Sequence, residues 1–114
     1  MVVKYPIVLG FRGKEIKIEA GLTNKIWFNA ITQDTFMELF GETWMSLKKP
    51  YEVIIKGQKI VIDKYCILDV SIGSKRFSAY FFITNAIRTL FGEEYRVIIG
   101  KKSLEENRIR IIEE

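Results

Sequence analysis

The chain has 114 residues, enough for one hydrophobic core and too few for two, and 48% apolar with 28% charged residues describes a chain that folds. No apolar run approaches the ~20 residues that a membrane span needs, and the start lacks the basic-then-apolar layout of a secretion signal, so a cytoplasmic, non-membrane protein is expected. The net charge of +4, from 18 Lys and Arg against 14 Asp and Glu, is spread along the chain with glutamates between the cations, the pattern of a solvated surface.

Residues 2–9 form an apolar run broken by Lys4, with Pro6 arguing against a central strand there. Gly10-Phe11-Arg12-Gly13-Lys14 supplies a turn, and Glu15-Ile16-Lys17-Ile18-Glu19 alternates with period two, so a β-hairpin is expected. After a bend at Ala20-Gly21, residues 22–28 read as another apolar segment. Thr32 or Asp34 caps a helix that buries Phe36, Leu39 and Phe40 and stops at Gly41. Trp44, ahead of Lys48-Lys49-Pro50, covers one end of the core. Strands are expected over 51–55, 59–71 and 76–83, turned at Lys56-Gly57-Gln58 and Gly73-Ser74. The middle one is apolar on part of both faces, as in a strand bent between two layers or set inside a closed sheet. Residues 85–91 read as a short helix or a loop, 95–99 as a strand, 103–107 as a short helix, and 108–112 as a final alternating strand. That last strand is a candidate edge for pairing between subunits.

The residue inventory excludes several chemistries. With no histidine there is no Ser-His-acid triad, no Cys-His pair and no ordinary zinc site, so neither a metal nor a cofactor is expected. Asp63 and Asp69 share a strand face but lie about 20 Å apart, too far for one general acid/base pair. The single cysteine, Cys66, sits in an apolar run and reads as a core residue; it suits a reducing compartment. Gly100-Lys101-Lys102-Ser103 lacks the spacing of a phosphate loop. Lysines 48, 49, 56, 59, 101 and 102 fall near turns, and if gathered on one face they would serve an alternative role in nucleic-acid binding. The Lys/Glu/Ile bias looks like that of a thermophile protein.

The order of these elements resembles the retropepsin-like aspartic protease family, small single-domain relatives of pepsin that form twofold dimers. Gly10 to Glu19 looks like that family's first hairpin, and Phe36 to Gly41 like its short helix. Val53 to Ile62, turning at Lys56, Gly57 and Gln58, looks like its flap, and Val97-Ile98-Ile99-Gly100-Lys101-Lys102-Ser103-Leu104 like its terminal motif, matched at Ile98, Ile99, Gly100 and Leu104. Counting back from Gly41 places the catalytic Asp-Thr-Gly-Ala at Asn24-Lys25-Ile26-Trp27. There the acid is an amide that cannot share a proton with a twin across a dimer axis, and the glycine is a branched isoleucine. The resemblance implies an all-β fold over residues 1–114, a small closed or partly closed β-barrel with one or two short helices. It further implies a degenerate, non-catalytic member, a pseudoenzyme with no catalytic residues, acting in protein or peptide interaction as a homodimer, with an unorthodox aspartic peptidase built on the three aspartates or Glu19 as the remaining alternative.

Overall fold

Two tight turns with left-handed backbone set the long hairpins. The computed structural model describes residues 2–112, and in it Arg12 and Gly13 turn with φ of 49° and 83°, and Lys56 and Gly57 with 50° and 77°. Positive φ at both central residues matches the right-handed twist of the flanking strands, so each turn closes a two-residue hairpin. The first joins β1 (Val2–Phe11) to β2 (Lys14–Thr23), the second β4 (Met45–Ile55) to β5 (Gln58–Ile72). A third turn at Gly73 joins β5 to β6 (Lys75–Ile83). Two three-residue strands, β3 (Asn29–Ile31) and β7 (Val97–Ile99), complete the sheet. Pro6 is tolerated within β1, opposite Glu19, because the other side of β1 pairs with β5 only at Val8–Gly10.

The strand order is β1-β2-β7-β3-β6-β5-β4, and a further β1–β5 pairing joins the first six into a ring with β4 left at an edge. That ring is not a barrel, which corrects the all-β, retropepsin-type barrel expected from the sequence. A barrel encloses one interior, whereas here apolar side chains gather in two separate clusters. One holds Leu9, Ile31, Phe36, Leu68, Phe81 and Ile99; the other holds Ile26, Phe28, Ala30, Val53, Ile62 and Ile98. Neighbouring residues of β3 and β7 thus enter opposite cores, and the short central strands are buried on both faces. They also mix directions: β7 runs parallel to β2 and antiparallel to β3, and β3 runs parallel to β6.

Helices complete both cores, so the fold is mixed α/β with three helices among the described residues, one more than the upper expectation. These are α1 (Gln33–Phe40), α2 (Ala86–Phe91) and α3 (Lys101–Glu106). Phe36 and Leu104 enter the first cluster and Ile87 the second. The α1 boundaries follow the expected signals, with Thr32 at the N-cap and Gly41 at φ 73° beyond its end. Trp44 packs on Phe36 at 6.2 Å between ring centres, the cover expected of it. Cys66 is fully buried in the first cluster, and burial pushes its thiol up to about 12.

The expected final strand does not form. Arg108 turns the chain out of α3 with φ 56°, its N–H donating to Glu105 and that of Ile109 to Leu104, the paired bonds that close a helix C-terminus. Residues 109–112 then run without a strand partner, with Ile109 and Ile111 packed on the first core. The alternation that looked like a strand edge is a one-sided apolar strap, and the subunit pairing expected of it loses its motive.

Helices α1 and α2 are joined by an ion pair, Arg88 Nη1 to Asp34 Oδ2 at 2.7 Å. Burial alone would push the Asp34 carboxyl up; hydrogen bonds from the side chains of Thr32 and Arg88 and from the Thr35 backbone N–H outweigh it and hold it below the usual carboxylate value. A depressed folded-state pKa means stability that is present above the unfolded value of about 4 and is lost as pH falls through the folded one. In thermal melts from pH 7 to 2.5, Asp34→Asn should therefore lower the melting temperature at neutral pH, with the difference from wild type shrinking below about pH 4. Asp34 is largely exposed, so the neutral-pH loss should stay under about 1 kcal/mol.

Candidate binding cleft

The site is built where the end of β2 meets the start of α3. Strand β2 stops because the Thr23 hydroxyl accepts the Lys25 backbone N–H at 3.1 Å, curling residues 24–28 into a loop where the sequence suggested a continuing apolar segment. Ile26 and Phe28 point into the second core, each only 5% exposed, while Trp27 between them is 46% exposed. The Trp27 ring meets Phe28, Tyr51 and Phe82 edge-on at 5.3, 5.9 and 6.0 Å, which fixes its orientation at the surface.

Three backbone amides at the β7–α3 junction hold this segment. Lys101 N–H donates to the Ile26 carbonyl at 2.8 Å, Lys102 N–H to that of Trp27 at 3.1 Å, and Gly100 N–H to Asn29 Oδ1 at 2.9 Å. Asn29 Nδ2 donates in turn to the Tyr80 carbonyl at 3.1 Å and the Ser103 hydroxyl at 2.8 Å. One buried amide thus ties the loop's exit to β6, β7 and α3. Gly100 is required by contact: a Cβ there would lie 2.1 Å from the Phe28 carbonyl oxygen. The Lys101 and Lys102 amides at the start of α3 are thus taken by the Ile26 and Trp27 carbonyls.

The β4–β5 hairpin stands over this loop and leaves a cleft of about 610 Å³ between them. Ile26, Phe28, Val53 and Ile55 give it apolar surface, and Asn24, Lys25, Lys56 and Lys101 its polar groups. Lys56 Nζ donates to the Leu90 carbonyl at 2.9 Å and lies 5.1 Å from the centre of the Phe91 ring, so the hairpin tip is anchored on α2. Beyond Trp27 a second groove of about 310 Å³ runs between β6 and α3, past Ser78, Tyr80, Lys102 and Asn107. Trp27 borders both hollows.

Of the residues singled out by sequence, Asn24, Lys25, Ile26, Trp27 and Lys56 converge at the cleft, while Gly57 and Gln58 sit at the exposed hairpin tip outside it. Ile98, Ile99 and Leu104 are core residues, and Gly100 is the junction that locks the loop. Sequence reasoning missed Asn29, whose only signal is one amide inside the apolar run Phe28-Asn29-Ala30-Ile31. The aspartates stay apart: Asp34 pairs with Arg88, Asp63 with Lys64, and Asp69 accepts the Ser78 hydroxyl. No group of three or more His, Cys, Asp or Glu among the described residues could hold a metal ion. The turn lysines do not form a uniform basic field either, since Lys59, Lys101 and Lys102 lie near Glu52, Glu105 and Glu106 at 3.2, 3.8 and 3.9 Å. The groups facing the cleft offer apolar surface, hydrogen bonds and positive charge.

No protein-family model and no curated protein matches this chain. Among solved structures it is similar to the crystal structure of a protein of unknown function, Lpg0085 (DUF785), from Legionella pneumophila subsp. pneumophila str. Philadelphia 1. The two superpose with a TM-score of 0.51 at 13% identity, over 89% of this chain and 84% of that one. At that identity the likeness concerns the fold alone, and it lends no support to a retropepsin-like identity. No helix among the described residues is long and apolar enough to cross a membrane.

Proposed function

We propose that this protein is a non-catalytic binding domain that takes an extended segment of another protein in the cleft between the β4–β5 hairpin and residues 24–28. The reading rests on a single juxtaposition. A pre-formed apolar cleft, its floor tied down through Gly100 and Asn29, lies against β4, which pairs with β5 on one side only. A free strand edge offers main-chain hydrogen bonds to an incoming chain, and adjacent apolar hollows take alternate side chains of that added strand. Residues 51–55 pair regularly with β5, giving a straight edge of about 17 Å, while the register shift between Ser46 and Tyr51 interrupts the edge beyond it. The buried lone cysteine accords with a cytoplasmic setting.

Trp27 at the lip supplies the readout. Titration of the protein with a library of short extended peptides should change tryptophan emission saturably, with a Kd on the order of 10 μM, as suits a small interface. Trp27→Ala should weaken that binding about tenfold, while Trp44→Phe, packed on Phe36 at the first core and outside the cleft lining, should leave it unchanged. Equal binding by wild type and Trp27→Ala, followed by calorimetry, would place the ligand elsewhere and contradict the reading.

A further inference from the structure

The charges around the cleft go further than its shape. Its polar lining consists of Asn24 and three lysines, with no carboxylate among its lining residues, although the chain carries 14 acidic side chains. The three ammonium groups are not equally engaged. Lys56 is tied to Leu90 and Phe91, and Lys101 has only a long contact of 3.8 Å to Glu105 on its own helix, largely in water. Lys25 is exposed, and its ammonium meets no acidic group among the described residues. Beside these charges Ile26, Phe28, Val53 and Ile55 give an apolar floor, and Ile54, 78% exposed, extends apolar surface along the outside of β4.

Resting on the peptide-binding reading above, we infer that the cleft selects acidic segments, chains carrying Asp or Glu beside apolar side chains, with carboxylates set against Lys25 and Lys101. A segment with lysine or arginine at those places would bring like charges together without a compensating acid, and repulsion of that kind discriminates as strongly as attraction. An apolar flank is required as well, because exposed ion pairs alone contribute little.

The test uses three peptides with identical apolar positions and either Glu, Gln or Lys between them, titrated at 50 and 300 mM salt. The Glu peptide should bind tightest and the Lys peptide weakest. The advantage of Glu over Gln should shrink at high salt as the Debye length falls from roughly 14 to 6 Å. Lys25→Ala should reduce affinity for the Glu peptide by about threefold, and the double variant Lys25→Glu plus Lys101→Glu should invert the order; Lys17→Ala, on β2 away from the cleft, is the control. Both cleft lysines are exposed, and circular dichroism would confirm that the variants fold. Equal affinity for all three peptides, insensitive to salt and to the lysine changes, would overturn the charge preference and leave the cleft reading intact. Binding of none of them would overturn both. A thymidine oligonucleotide that displaced the Glu peptide from the cleft at lower concentration than unlabelled peptide would assign the lysines to nucleic acid instead.

Discussion

Gly100→Ala should destabilise the protein by about 3 kcal/mol or more, lowering the thermal midpoint by roughly 12 °C, the largest effect expected of any single methyl group in this chain. Gly100 has an ordinary φ of −93°, so backbone preference contributes nothing to that cost. The penalty is steric: an added Cβ would stand 2.1 Å from the Phe28 carbonyl oxygen and 2.9 Å from that of Ile26, both backbone atoms that no rotamer change can move. Relief requires the loop to withdraw from the β7–α3 junction, breaking the bonds from the Lys101 and Lys102 amides that hold it. Gly57→Ala provides the contrast. Gly57 has φ 77° and nothing within 4 Å of an added Cβ, so its cost is the left-handed backbone alone, about 1 kcal/mol. Urea unfolding of the two variants beside wild type separates these causes. Near-equal midpoints for both variants would mean that the loop approaches α3 less closely than described.

Asn29→Ala should cost about 3 kcal/mol, although it removes only a short polar side chain. The amide accepts from Gly100 N–H and donates to the Tyr80 carbonyl and Ser103 hydroxyl, and at 4% exposure the strand bearing it has little access to water. Its removal leaves the buried Gly100 N–H without a partner, which costs about 1–3 kcal/mol, and takes a bond each from the part-buried Tyr80 carbonyl and Ser103 hydroxyl, which adds about 1 kcal/mol. Peptide affinity should fall too, since the floor of the cleft is fixed through the same junction. Unfolding midpoints and the Trp27 titration on Asn29→Ala check the two effects separately. A loss below 1 kcal/mol would show that the junction is held by the Lys101 and Lys102 amides without help from Asn29.

Local signals carried much of the fold. The first hairpin, α1 between Thr32 and Gly41, and the strands turned at Gly57 and Gly73 all follow from period-two alternation, cap residues and turn glycines. These act over a few residues and leave a visible pattern. What misled was the step from strands to closure. Residues 59–71, apolar on part of both faces, left open a strand bent between two layers or one set in a closed sheet, and the family resemblance turned that into one barrel interior, whereas Ala30 and Ile31, adjacent in β3, enter two different cores. Alternation misled again at Arg108-Ile109-Arg110-Ile111, because a one-sided strap over a core reads like a strand with a solvated face. At the cleft, Asn24 to Trp27 and Lys56 were found through a resemblance whose barrel did not hold. The contacts that make the site, Asn29 with Gly100 and Phe28 against Gly100, join residues about seventy positions apart and leave no local trace.

In the proposed complex, residues 24–28 and the inner side of the β4–β5 hairpin receive a peptide chain. Backbone amide shifts of the isotopically labelled protein, followed by NMR as the Glu-bearing peptide is added, test this most directly. Shifts should concentrate at Lys25, Ile26, Trp27, Val53, Ile55 and Lys101, with slowed hydrogen exchange along the outer edge of β4 as its free amides acquire partners. Shifts clustered on the β1–β2 hairpin instead, with the 24–28 loop and β4 unmoved, would contradict it.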